Sequence, residues 1–182
     1  MIKSLLIINC FITSICWAQT SIYDKAFNFF NVPNAPGGIV AIGKGDSLLF
    51  KKAYGLANLE TGEKITDSTM FEIASVSKQF TCFAIMLLEQ EGKINWEDDV
   101  RKYIPELPFY GDTIRLRHCA HHTSGIRDWV DLSLIAGRRR DSVVTFKETL
   151  EIIYNQSETN FPVGHLHEYS NSGYTLLAEV IN

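Results

Sequence analysis

Two alternating runs, residues 38–42 and 47–54, are rich in β-prone side chains and are separated by Gly43-Lys-Gly-Asp46, a pattern that predicts a hairpin with a glycine-assisted turn. A polar connection with Gly at its turns follows over residues 55–62. From Ser75 to Glu91 the period changes. Phe80, Phe83, Ala84, Ile85, Met86, Leu87 and Leu88 fall on nearly every side of a helix, which predicts a buried central element, and Gly92 is placed to cap its C-terminus. Beyond it come a Trp96 to Val100 segment, a Pro- and Gly-rich loop through Gly111, a short element at residues 114–119 and a more helical stretch at 129–155. Strands first and helices afterwards predict an α+β domain without specifying its topology. A last helical pattern, residues 174–181, reaches Asn182 with no Gly, Pro or polar tail to close it, so the expectation is a chain that stops inside an element.

Composition narrows the classes. The 182 residues carry a formal net charge of −4 and no basic stripe, which argues against a nucleic-acid partner. The one cationic run, Arg138-Arg139-Arg140, is followed at once by Asp141 and reads as a solvated loop. At the start, Lys3, an apolar run over residues 5–15 and Cys16-Trp17-Ala18 form the pattern of an export signal cut after Ala18. The run is shorter than the ~20 residues a membrane-spanning helix needs, so the expectation is residues 1–18 as a signal peptide, no stable membrane anchor, and a periplasmic or secreted product. Residues 19–182 then suit one domain, undivided by linker, repeat or low-complexity tract. Cys10 and Cys16 leave with the signal, and neither follows the small residues a lipid-attachment site would want. Cys82 and Cys119 read as small buried fillers rather than a disulfide framework. Nothing in the pattern specifies an oligomeric state.

The candidate chemistry starts at Ser75-Val-Ser-Lys78. Residues three apart on a helix share a face, so the hydroxyl and the amine are one turn apart. A serine is a weak nucleophile until a neighbouring base takes its proton. Lys78 could be that base, and the helix start favours the negative charge that develops in acyl transfer. Alone, the pair also fits a serine N-cap followed by a solvated lysine.

Four further segments change the weight of that pair: Phe71-Glu-Ile-Ala-Ser-Val-Ser-Lys-Gln-Phe80, Glu91-Gly-Lys-Ile-Asn95, His122-Thr-Ser-Gly125 and Tyr169-Ser-Asn171. In this order they resemble the serine β-lactamase and penicillin-binding-protein superfamily, in its class C-like branch with D-alanyl-D-alanine carboxypeptidases and esterases. The resemblance runs from about Gly37 to the last residue. It implies a β-lactamase/DD-peptidase-like α+β fold: an antiparallel sheet flanked by helices plus a helical subdomain, here truncated before the C-terminal strands. It also implies a serine hydrolase that forms an acyl-enzyme on a small-molecule or peptide substrate (a β-lactam, a D-Ala-D-Ala peptide or an ester) with neither organic cofactor nor metal. Residue by residue, Ser75 matches the acyl-accepting serine and Lys78 its partner lysine. Tyr169 matches the tyrosine that moves the serine's proton, and Asn171 the asparagine that orients substrate. A phenol near pKa ~10 can shuttle a proton only where cations make its anion less costly, and Lys78 would be such a neighbour. His122 and Gly125 match a turn expected to be structural. Tyr-Ser-Asn in place of Ser-Asp-Asn makes the class A branch the poorer match.

Two departures stand out. Pro162 sits one place early in Phe161-Pro-Val-Gly164, with His167 where an aromatic is usual. The superfamily's third motif, a Lys-Thr-Gly or His-x-Gly strand that lines the cleft and supplies the second oxyanion donor, has no counterpart here. Losing one such donor can cost ~10²–10³ in rate, so the 182 residues alone are expected to be inactive. Other readings stay open: a zinc site built from His118, His121, His122, His165 and His167, a penicillin-binding sensor that is acylated without turnover, or a half-domain without activity.

Overall fold

The computed structural model describes residues 22–182, so the segment read as an export signal lies outside the described residues. The described residues divide into two compact units, one running up to Glu72 and the other Ile73–Asn182.

The first unit is built on the expected hairpin. Strands β1 (Gly38–Lys44) and β2 (Ser47–Tyr54) pair antiparallel, with Lys44 opposite Ser47 and a register shift at Ile42/Gly43. Gly45, at φ +55°, takes the left-handed conformation that a two-residue connection needs. Two short strands, β3 (Leu56–Asn58) and β4 (Glu63–Lys64), make a second antiparallel pair. Aromatic rings supply the packing: Phe50 contacts Tyr23 and Phe27, and Phe30 contacts Tyr54, with ring centroids 5.2 to 6.5 Å apart. Gly37 is where two backbones cross, since a Cβ there would lie 1.9 Å from the Tyr54 carbonyl oxygen.

The second unit is helical. We number its helices α1 (Lys78–Gln90), α2 (Leu116–Ala120), α3 (Trp129–Ile135), α4 (Phe146–Tyr154) and α5 (Asn171–Ile181). Their inner faces meet in one apolar core, in which Ile85 of α1, Leu116 and Cys119 of α2, Ile153 of α4, and Leu176 and Leu177 of α5 are fully buried. The sequence marks the helix ends well. Gly92 closes α1 in a Schellman arrangement: its N–H donates to the Glu89 carbonyl (2.8 Å) and the Lys93 N–H to that of Leu88 (3.0 Å). Thr145 and Glu148 cap α4 reciprocally.

One expectation needs correcting. Among the described residues α1 is not buried all round: Phe80, Phe83, Met86 and Leu87 are 61, 58, 55 and 44% exposed, and only Ile85 is fully enclosed. The packed stripe is Lys78, Cys82, Ile85 and Leu88, spaced one turn apart and facing α5. Apolar residues on every side reveal that a helix is meant for burial, but the rest of this unit covers one side of it.

Candidate active site

Ser75 does not stand in the first turn of α1 but one turn earlier, in a 3-10 turn over Ala74–Ser77 that feeds the helix. Ala74 enters that turn at φ +46°, a conformation that costs a residue with a Cβ about 1–2 kcal/mol and leaves Ser75 exposed at the bend. Lys78 opens α1 on the same face. Its Nζ donates to Ser75 Oγ at 3.2 Å, as the three-residue spacing required.

The rest of the site arrives from 94 residues further along. Tyr169 lies in the extended segment before α5, with its hydroxyl 2.6 Å from Ser75 Oγ. Asn171 is the first residue of α5, and its Oδ1 accepts from Lys78 Nζ at 2.8 Å. The fold therefore brings Ser75, Lys78, Tyr169 and Asn171 into one hydrogen-bonded cluster. The helix ends explain how. Lys78 meets Asn171, and one turn on Cys82 Sγ lies 3.2 Å from the Tyr174 hydroxyl, so the first turns of α1 and α5 run side by side in the same direction. Both positive dipole ends point at the cluster and favour an anion there.

The side chains around Tyr169 act on its phenol as well. Burial pushes its phenol up, but Lys78 and Ser75 beside the hydroxyl outweigh it and hold the group below the ordinary phenol value. The Lys78 amine also lies 4.8 Å above the Tyr169 ring and 5.3 Å from that of Tyr174.

Two neighbours of the cluster have no signal of their own in the sequence. Asp128, nearly buried at the N-cap of α3, accepts from Val130 N–H at 2.8 Å through one oxygen. Through the other it takes both the backbone N–H of Asn171 and its side-chain Nδ2, the latter at 2.9 Å. That contact turns the Asn171 amide so that its oxygen faces Lys78. Ser172 ties the same helix start to the loop before α3, accepting from Trp129 N–H at 2.9 Å and donating to the Arg127 carbonyl at 2.7 Å. An Asp just before an apolar run signals a helix cap, but the contact across 43 residues leaves no local trace.

The His122-Thr-Ser-Gly125 turn holds the loop that presents Tyr169. The carbonyls of His122, Thr123 and Gly125 accept from the N–H groups of Glu168, Gly164 and Asn160 at 2.9, 2.8 and 2.8 Å. The other histidines do not converge: among the described residues, no group of three or more His, Cys, Asp or Glu side chains is placed to hold a metal ion. Burial, with Arg117 and Arg115 adding to it, holds His118 below the ordinary histidine value. Cys119 is pushed up to about 12 by burial, an inert thiol. Cys82 is half-buried against Tyr174. No helix among the described residues is long and apolar enough to cross a membrane.

Comparison with known proteins identifies the family and the fold. A family model described as Beta-lactamase matches residues 28–182. Penicillin-binding protein 4* of Bacillus subtilis is 32% identical over 145 residues, which are 79% of this chain and 32% of that protein. A D-aminopeptidase of Brucella anthropi is 31% identical over 147 residues, 80% of this chain and 28% of the relative. Among solved structures, FmtA from Staphylococcus aureus superposes with a TM-score of 0.72 at 27% identity, over 93% of this chain and 44% of that one. The octameric penicillin-binding protein homologue of Pyrococcus abyssi gives 0.66 at 28% identity, over 79% and 34%. The chain thus spans about a third of the length of these curated relatives. With the family model covering most of its length and the fold shared with penicillin-binding-protein structures, the chain belongs to the β-lactamase family of acyl-enzyme-forming serine hydrolases, of whose fold it carries the N-terminal portion.

Proposed function

We propose that these residues form the nucleophile half of a serine hydrolase that passes through an acyl-enzyme at Ser75. The observation that carries the reading is the 2.6 Å approach of the Tyr169 hydroxyl to Ser75 Oγ, with Lys78 Nζ 3.2 Å from the same oxygen. Ser75 attacks the substrate carbonyl while its proton passes to the Tyr169 oxygen. Charge on the tetrahedral intermediate is favoured by the converging starts of α1 and α5. Tyr169 then returns the proton to the leaving group, and water hydrolyses the ester by the reverse path. Lys78 keeps the phenolate form accessible, and Asn171, held by Asp128, positions Lys78 and the substrate amide.

Relatives named as a penicillin-binding protein and D-aminopeptidases support a β-lactam or a peptide of D-amino acids as the substrate class, with an ester as the further member of that acyl series. Export to the periplasm or medium, from the pattern at residues 1–18, would put the enzyme where such compounds occur. The test is covalent labelling of the full-length protein with a fluorescent penicillin. Ser75→Ala should abolish the label, and persistent labelling at another residue would defeat the assignment. Fast release of the label marks a hydrolase, and retention for hours marks a sensor.

A further inference from the structure

His122 is outside the proton path, yet it touches the Tyr169 segment from three directions. Its ring lies 4.5 Å from the Tyr169 ring, centroid to centroid, inclined by 34°. Its Nδ1 accepts from the backbone N–H of Ser170 at 3.1 Å, and its carbonyl accepts from that of Glu168 at 2.9 Å. The residues on either side of Tyr169 are thus pinned to one residue 48 positions before Ser170. The anchor is itself fixed. His122 adopts φ +56°, and Gly125, at φ +72°, lets the turn pass so close to Phe161 that a Cβ would lie 2.4 Å from its carbonyl oxygen. On its remaining sides the ring meets Tyr174 of α5 at 5.2 Å and the edge of His167 at 5.7 Å.

We infer that His122 is a positioning residue for the hydrolase, holding the Tyr169 phenol against Ser75 through the Ser170 N–H, the Glu168 N–H and its own ring. The inference rests on the reading of Tyr169 as the proton-transfer group. It carries a consequence for pH. A nitrogen that accepts from an N–H cannot carry a proton, so the clamp exists only while Nδ1 is bare. The groups that face the ring are His167 and Tyr169 on the presenting loop, Lys78 on α1, Tyr174 on α5 and Asp128 at the start of α3. Burial first, then the His167 and Lys78 charges, depress His122 below the ordinary histidine value. For a base so depressed the clamp is intact at neutral pH and is lost as pH falls through the lowered value.

The test compares His122→Phe and His122→Asn in the full-length protein. The first keeps a flat ring and removes the acceptor. The second restores an acceptor of similar reach and tolerates positive φ. Acylation by a chromogenic ester is followed from pH 5 to 10, with Tm measured alongside. His122→Phe should lower kcat by about 10- to 100-fold with little change in KM, as expected for a misplaced proton-transfer group. It should also move the Tyr169-dependent limb of the profile, and His122→Asn should recover most of the rate. A wild-type rate and profile in His122→Phe would overturn the inference. So would a rate loss that only tracks the unfolded fraction, or a His122→Asn variant as impaired as His122→Phe. Tyr169→Phe separates the two levels: if it keeps the wild-type rate, the role of Tyr169 is wrong, whereas an inactive Tyr169→Phe beside a normal His122→Phe removes His122 alone.

Discussion

Asp128 serves two structures with one carboxylate, capping α3 with one oxygen and fixing the Asn171 amide with the other. Asp128→Asn puts an NH₂ group where an acceptor is needed at one of the two. We expect the full-length protein to lose about 1–3 kcal/mol of stability in urea titration, and acylation to slow by about tenfold or more as Asn171 loses its fixed orientation. Tyr169 gives a pH prediction. Its phenol is depressed, so the proton-accepting form gains population as pH rises, and kcat/KM should level off below the pH of about 10 at which an unperturbed phenol titrates. Lys78→Met removes the largest neighbouring charge and should push the remaining limb to higher pH. At this scale the sequence was most legible where roles are local or repeated in the superfamily. Ser75 and Lys78 share a face by spacing alone, and Tyr169 and Asn171 came by resemblance. Asp128 and His122 were not legible as parts of the site, because each acts through a contact more than 40 residues away, and locally one reads as a cap and the other as a turn.

The glycines of the second unit do different work, and their substitution should rank accordingly. Gly173, in the second half-turn of α5, lies against α2 so closely that a Cβ would be 3.0 Å from the Cys119 carbonyl oxygen. Gly173→Ala should cost about 1–3 kcal/mol through overpacking. At Gly125 positive φ and a carbonyl contact combine, so Gly125→Ala should cost more. Gly92, at φ +71° with open space around it, should cost only about 1 kcal/mol. Thermal unfolding of the three variants checks the order. The first and last helices were legible from period, and the end of α1 from Gly92, whereas α2 read only as a short segment and α3 and α4 as one irregular helical stretch. The burial of α1 is not legible, because a helix apolar on all sides states what it needs, whereas which elements meet that need is a tertiary fact.

At the scale of the molecule, an open groove of about 860 Å³ runs beside exposed Phe83 and Met86 of α1, walled by Cys82, Trp96 and Tyr174. Apolar surface of that kind associates in water. A protein of these 182 residues is expected to self-associate with rising concentration in light scattering, and Phe83→Glu should reduce it. The α+β class and the family were legible from motif order. The hairpin was legible from turn chemistry, but the division into two compact units was not, since no linker composition announces it. The 94-residue span between nucleophile and phenol bears on the order of folding. Closing so long a loop costs entropy that the packing of α5 against α1 and α2 repays. In the full-length protein Ser75 should therefore become reactive in the last tertiary phase of refolding, after helical circular dichroism has recovered, and its acylation becomes a clock for the moment these two distant segments meet.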